Sequence, residues 1–173
     1  MRISLWSVLA SFLPVCPGIA FAEVPSLAEV DAVVPTLLTV NAPKDPRCRF
    51  VNEVLQAQLE RVLSEGGLKI LPPSDVDTAP TFTMLMVADL PNPTIPSTED
   101  RCLVTAEAAL TVPVEPPVVG AVVELWTAAP VLGEVLAGND PKTPSADLAD
   151  QARRFIDGYI EYFLQQRASS KAP

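Results

Sequence analysis

Histidine is absent from all 173 residues. That removes the commonest general base, the commonest metal ligand, and every Ser-His or Cys-His catalytic pair. Zinc would have to rely on carboxylates, against its preference for nitrogen and sulfur. Glycine is scarce, at seven residues. None of them falls in a phosphate-cradling G-x-x-x-x-G-K, a dinucleotide-binding G-x-G-x-x-G or a G-x-S-x-G nucleophile elbow. Basic residues are few, 12 against 21 acidic ones, for a formal net charge of −9. An acidic surface repels nucleic acid and anionic membrane alike. Catalytic residues, metal ligands and cofactor-binding residues are therefore not expected, and no cofactor is.

What is present begins with an export signal. Arg2 is a minimal positive region, Ile3 to Val15 an apolar run, and Ala20-Phe21-Ala22 a small-x-small cleavage motif before Glu23. The run falls short of the roughly 20 apolar residues a membrane-spanning helix needs. Residues 1–22 are read as a secretory signal peptide, cleaved near Ala22, 23–167 as a single domain and 168–173 as a disordered tail. Cleavage removes Arg2 and no acid, which takes the net charge to −10. Cys16 leaves with the signal. Two cysteines remain in a chain bound for an oxidising compartment, periplasmic or extracellular, so a Cys48–Cys102 disulfide is expected. Closing a loop of that length is worth roughly 4 kcal/mol in the chain-entropy model.

Asp45 as N-cap and Pro46 at the first helical position predict the start of a helix. Its apolar stripe is Val51, Val54, Leu55, Leu59, Val62 and Leu63, and Gly66-Gly67 stops it. Thr36–Val40 before it and Leu68–Leu71 after it read as strands. Thr81–Leu90, Arg101–Val112 and Val118–Ala128 alternate as longer strands, with Leu132–Leu136 as a short extended addition. A last helix, capped by Thr143 with Pro144 following, buries Leu148, Ala152, Phe155, Ile156, Tyr159, Ile160 and Phe163. The order β-α-β-β-β-β-α argues an α+β fold. Its sheet has four to five mostly antiparallel strands, with both amphipathic helices on one face and one disulfide. This order is similar to that of small α/β domains in bacterial envelope assembly and transport-accessory proteins, a likeness of fold that carries no residues across.

Strand parity puts Leu85, Val87, Leu103, Val122 and Trp126 on the sheet face away from the helices, beside Glu107 and Glu124. A face that met only water would be more polar, so these five are the candidate partner face. The function expected is an exported, non-enzymatic binding or accessory domain in envelope assembly or transport. It would meet a protein partner, or a second copy of itself, at that face or at a strand edge. The alternatives are a small-ligand carrier with a pocket lined by Met84, Met86, Phe155 and Phe163, and a hydrolase using Glu107 and Glu124. Asp75-x-Asp77 is too short of oxygen ligands for a calcium loop.

Overall fold

The computed structural model describes residues 24–41, 46–89, 101–113, 122–137, 140 and 142–171. The signal peptide, the Asp45 cap, the 118–121 start of one predicted strand and the last two residues lie outside them. A 3-10 turn at Leu27–Glu29 leads into β1 (Ala32–Val40). A second turn, Pro46–Cys48, precedes α1 (Asn52–Glu65). β2 (Lys69–Ile70), β3 (Thr81–Asp89), β4 (Arg101–Pro113), β5 (Val122–Leu136) and α2 (Ala146–Ser169) follow.

The five strands form one sheet in the order β2-β1-β3-β4-β5. β3, β4 and β5 pair antiparallel. β1 instead runs parallel to both β2 and β3, and α1 is the crossover that parallel neighbours require. The fold is α+β, with both helices on one side of the sheet and one disulfide, Cys48–Cys102, tying the turn before α1 to the start of β4. Along β4, Cys102, Val104, Ala106, Ala108, Leu110 and Val112 all turn toward the helices and are buried.

α1 begins at Asn52, later than the Asp45-Pro46 signature predicts, because Pro46–Cys48 is tied up in the separate turn that delivers Cys48 to the sheet. With the start displaced, Val51 and Val54 are exposed. Leu55, Leu59 and Leu63, at strict four-residue spacing, form the buried stripe. Each such leucine contributes about 1.5–3 kcal/mol on burial. The glycine stop is a Schellman motif. Gly67 takes φ +82, the Leu68 N–H reaches Leu63 O at 3.2 Å and the Gly67 N–H reaches Ser64 O at 3.0 Å. At Gly66 a Cβ would stand 2.5 Å from Leu164 Cδ1 of α2, so any larger residue there requires the Leu164 side chain to shift.

Pro35 lies inside β1 without disrupting it. Residues 31 and 33 accept from β2 (Lys69 N–H to Asp31 O, 2.8 Å; Leu71 N–H to Val33 O, 2.9 Å). β2 ends there, so the next position on that side has no ladder bond to lose. The Gln56 side chain of α1 takes over as a surrogate strand. Its Oε1 accepts from Leu37 N–H at 3.0 Å and its Nε2 donates to Pro35 O at 3.1 Å.

Cys48 and Cys102 are bonded, with Cα atoms 5.6 Å apart and 54 residues between them, and both are fully buried. The bond fastens the turn before α1 to the head of β4. Nearby, the N–H of Ser145 donates to Arg47 O (3.0 Å) and its hydroxyl to Leu136 O (2.7 Å). These bonds fix Ser145 in an extended conformation, so α2 starts after it and not after Thr143. At its other end α2 runs to Ser169, into the stretch expected as tail. No helix among the described residues is long and apolar enough to cross a membrane.

Candidate functional site

β5 is a single strand of 15 residues and absorbs the piece expected at Leu132–Leu136. It stays in register with β4 only by inserting extra residues twice. Leu110 faces Trp126 and Thr111 faces Glu124, which leaves Leu125 unmatched; Ala108 faces Ala128 and Ala106 faces Val131, which leaves one surplus residue at Ala129-Pro130. Each bulge reverses the alternation.

The first bulge overturns the placement of Trp126. Parity put it outward with Val122. It is 8% exposed, stacked on Phe82 (5.8 Å between centroids) and edge-on to Phe163 (5.2 Å), in the core beneath α2. The other four candidates do lie on the outer face: Leu85, Val87 and Leu103 half-buried, Val122 exposed at 60%. Leu38 (50%) and Val40 from β1 and Leu132 (66%) from β5 extend that face. Leu38 sits opposite Leu85, Val40 opposite Val87, and Leu132 opposite Thr105. Strand alternation could have flagged Leu38 and Val40. Leu132 was hidden by the second bulge.

Carboxylates border this patch. Glu107 and Glu124 line a shallow depression of about 230 Å³ with Thr83, Leu85 and Thr127. Glu124 sits opposite Thr111, four residues along β4 from Glu107, or about 13 Å at the strand rise. The row Ala109–Thr127 lies between them, with no sugar-stacking aromatic in the depression. Arg101 and Glu134 form a cross-strand ion pair at 3.1 Å on the same face. No group of three or more His, Cys, Asp or Glu among the described residues could hold a metal.

The interior pocket expected between helices and sheet is filled. Met84, Met86 and Phe163 are fully buried core residues. Phe155 instead faces a surface groove of about 470 Å³ at the margin of the sheet. Ala128, Ala129 and Val131 of β5 form one wall. Phe155, Gly158, Tyr159 and Tyr162 of α2 form the other, with Arg154 at the rim.

Tyr159 holds these walls together. Its hydroxyl accepts from Val131 N–H at 3.1 Å and donates toward Ala129 O at 2.9 Å, with Ala106 O of β4 as the alternative acceptor. The phenol thus occupies the gap that the second bulge opens between β4 and β5. Burial pushes its pKa up and the Glu107 charge adds to the rise, while the bond from Val131 opposes it.

Two signals for the groove were present in the sequence. One is Pro130 in the middle of a strand pattern, a sign of an edge or a bulge. The other is Gly158 in the middle of a helical one. Glycine there costs about 0.5–1 kcal/mol relative to alanine.

No protein-family model and no curated protein matches the chain. Among solved structures it is similar to rare lipoprotein B from Shewanella oneidensis, at 12% identity and a TM-score of 0.37, over 81% of this chain and 96% of that one. It is also similar to a protein assigned as a lipoprotein from Caulobacter crescentus CB15, at 11% identity and a TM-score of 0.37, over 80% and 93%. Likeness this loose assigns no function.

Proposed function

We propose that the protein is an exported, non-enzymatic binding domain that meets a protein partner through the outer face of its sheet. The observation that carries this reading is the patch of Leu38, Val40, Leu85, Val87, Leu103 and Leu132 opposite the helices, which no described element covers. Contiguous apolar surface of this kind, rimmed by polar groups, marks interaction sites. The rim here is mostly acidic, with Glu107, Glu124 and Glu134, so the complementary partner presents apolar residues flanked by lysine or arginine. Export is supported by the buried disulfide, which belongs to an oxidising compartment. A non-enzymatic role is supported by the lack of histidine and by two cysteines committed to each other.

The test is capture of partners from the envelope fraction by the wild type and by Leu38→Glu/Leu132→Glu. Trp126 variants are unsuitable probes, since they strike the core. Capture of a defined protein that the double variant loses, with its melting temperature unchanged, is the expected result. Equal capture by both, or none by either, removes the outer face from consideration.

A further inference from the structure

Gly158 stands in the middle of α2, exposed, and a Cβ built on it meets nothing within 4 Å. The usual reasons for a helical glycine are a left-handed backbone or a crowding neighbour. Neither operates here. What the missing side chain preserves is open space in the groove between α2 and β5. That groove lies along the last strand of the sheet, whose other side has no neighbour among the described residues.

An unpaired strand edge can accept an extended chain, and alternate side chains of that chain then fall to one side of the sheet. On the helix side they would meet Phe155, Tyr159 and Tyr162, with Val131 beneath. Pro130 and the two bulges deny the edge to an arbitrary strand, so selection falls to the groove. Arg154 adds a charge requirement. Arg61, Arg101 and Arg153 are each paired, with Glu65, Glu134 and Asp150. Arg154, at the rim, has no carboxylate partner among the described residues. A second copy of the chain is the poorer occupant. Antiparallel pairing of two β5 strands about their midpoint, Ala129, sets Glu124 against Glu134.

We infer that the groove between α2 and β5 receives an extended peptide segment of another protein, with apolar side chains at alternate positions turned under α2 and a carboxylate facing Arg154. The inference rests on the reading of this protein as a binding domain but uses a different surface. Its test is selection of random twelve-residue peptides displayed against the full exported chain, followed by affinity measurement on synthetic copies of those enriched. Enriched peptides should alternate apolar with polar residues and carry Asp or Glu. Binding should fall about tenfold or more with Gly158→Phe or Val131→Glu, each an exposed or edge position. Arg154→Gln should cost a few-fold. Leu38→Glu/Leu132→Glu, on the outer face, should leave peptide binding intact. Failure to enrich any peptide overturns the inference, as does binding that survives both groove variants or a groove-dependent dimer that excludes peptides. Loss only in the outer-face variant overturns it too, while leaving the proposed function standing.

Discussion

Along β4, Cys102, Val104, Ala106, Ala108 and Leu110 point at the helices and are sealed; Leu103, Thr105, Glu107 and Ala109, each one residue further on, point the other way and keep contact with solvent. The same alternation runs through β3, where Phe82, Met84 and Met86 are fully buried and Thr83, Leu85 and Val87 are not. The inner face is closed by two leucine- and phenylalanine-lined helices and by a covalent bond. The outer face carries comparable aliphatic side chains with nothing described over them. Its leucines and valines thus forgo part of the roughly 1.5–3 kcal/mol that full burial of each would contribute. Stability therefore resides on one side of the sheet and unused apolar area on the other. Substitutions that contrast the two sides can test this division.

The largest contrast comes from two β5 residues that simple alternation would put on one face. Trp126→Glu places an unpaired carboxylate among Phe82, Phe163 and Tyr162. It should cost more than about 4 kcal/mol and leave the protein unfolded or nearly so. Val122→Glu, on the exposed outer face, should stay within about 0.5 kcal/mol of wild type. Urea denaturation of the two variants makes the comparison. Similar midpoints would mean that Trp126 is not in the core and that the bulge at Leu125 is misplaced.

Next is the covalent link on the inner face. Replacing both Cys48 and Cys102 by serine should lower stability by about 2–5 kcal/mol, since the 54-residue separation makes a large closed loop. Reductant in the same denaturation experiment should reproduce the loss in the wild type and have no effect on the double variant. A wild type indifferent to reductant while unfolded would show that the bond does not form in the protein.

How much of this division could be read from the chain depended on local regularity. β3 and β4 alternate without interruption, so Met84, Met86, Val104 and Leu110 were assignable to one face from parity alone. The same parity placed Leu85, Val87 and Leu103 on the other. Export plus two remaining cysteines pointed to the disulfide. Parity failed in β5, where two bulges each shift the count by one; the first, at Leu125, turns Trp126 to the face opposite the one that alternation assigns it. A bulge depends on the partner strand and leaves only faint marks, here Pro130 at the second one and nothing distinctive at the first. The parallel pairing of β1 was equally hidden, because strand direction is set by the crossover and not by the strand's own residues. The groove was missed because it needs β5 and α2 together, and Arg154 read alone is simply a charge on the wet side of a helix.

A smaller effect is expected where the two regions are joined. Tyr159→Phe keeps the ring in place but removes the hydroxyl that serves Val131 N–H and the carbonyls of Ala129 and Ala106. Leaving these groups without a partner should cost about 1–3 kcal/mol. The same phenol predicts an alkaline limit. Its folded pKa lies above its unfolded value of about 10. Its contribution is therefore whole below the unfolded pKa and is lost as pH rises through the folded one. The wild type should lose stability above about pH 10 more steeply than Tyr159→Phe does. Parallel pH profiles for the two would place Tyr159 outside the bulge.

The smallest effect has the opposite sign. Gly158→Ala adds a methyl group where nothing stands within 4 Å and restores helix propensity in the middle of α2. It should stabilise the protein by about 0.5–1 kcal/mol, read as a higher urea midpoint at unchanged slope. Gly133 provides the control on the facing strand. A Cβ there would meet Phe155 Cζ at 2.9 Å and Gln151 Nε2 at 3.0 Å, so Gly133→Ala should destabilise by forcing the buried Phe155 ring out of place. One glycine would then be required by packing and the other kept against the interest of stability. If Gly158→Ala proves destabilising as well, the space beside it is already occupied in the folded chain, and the groove is closed by the protein itself.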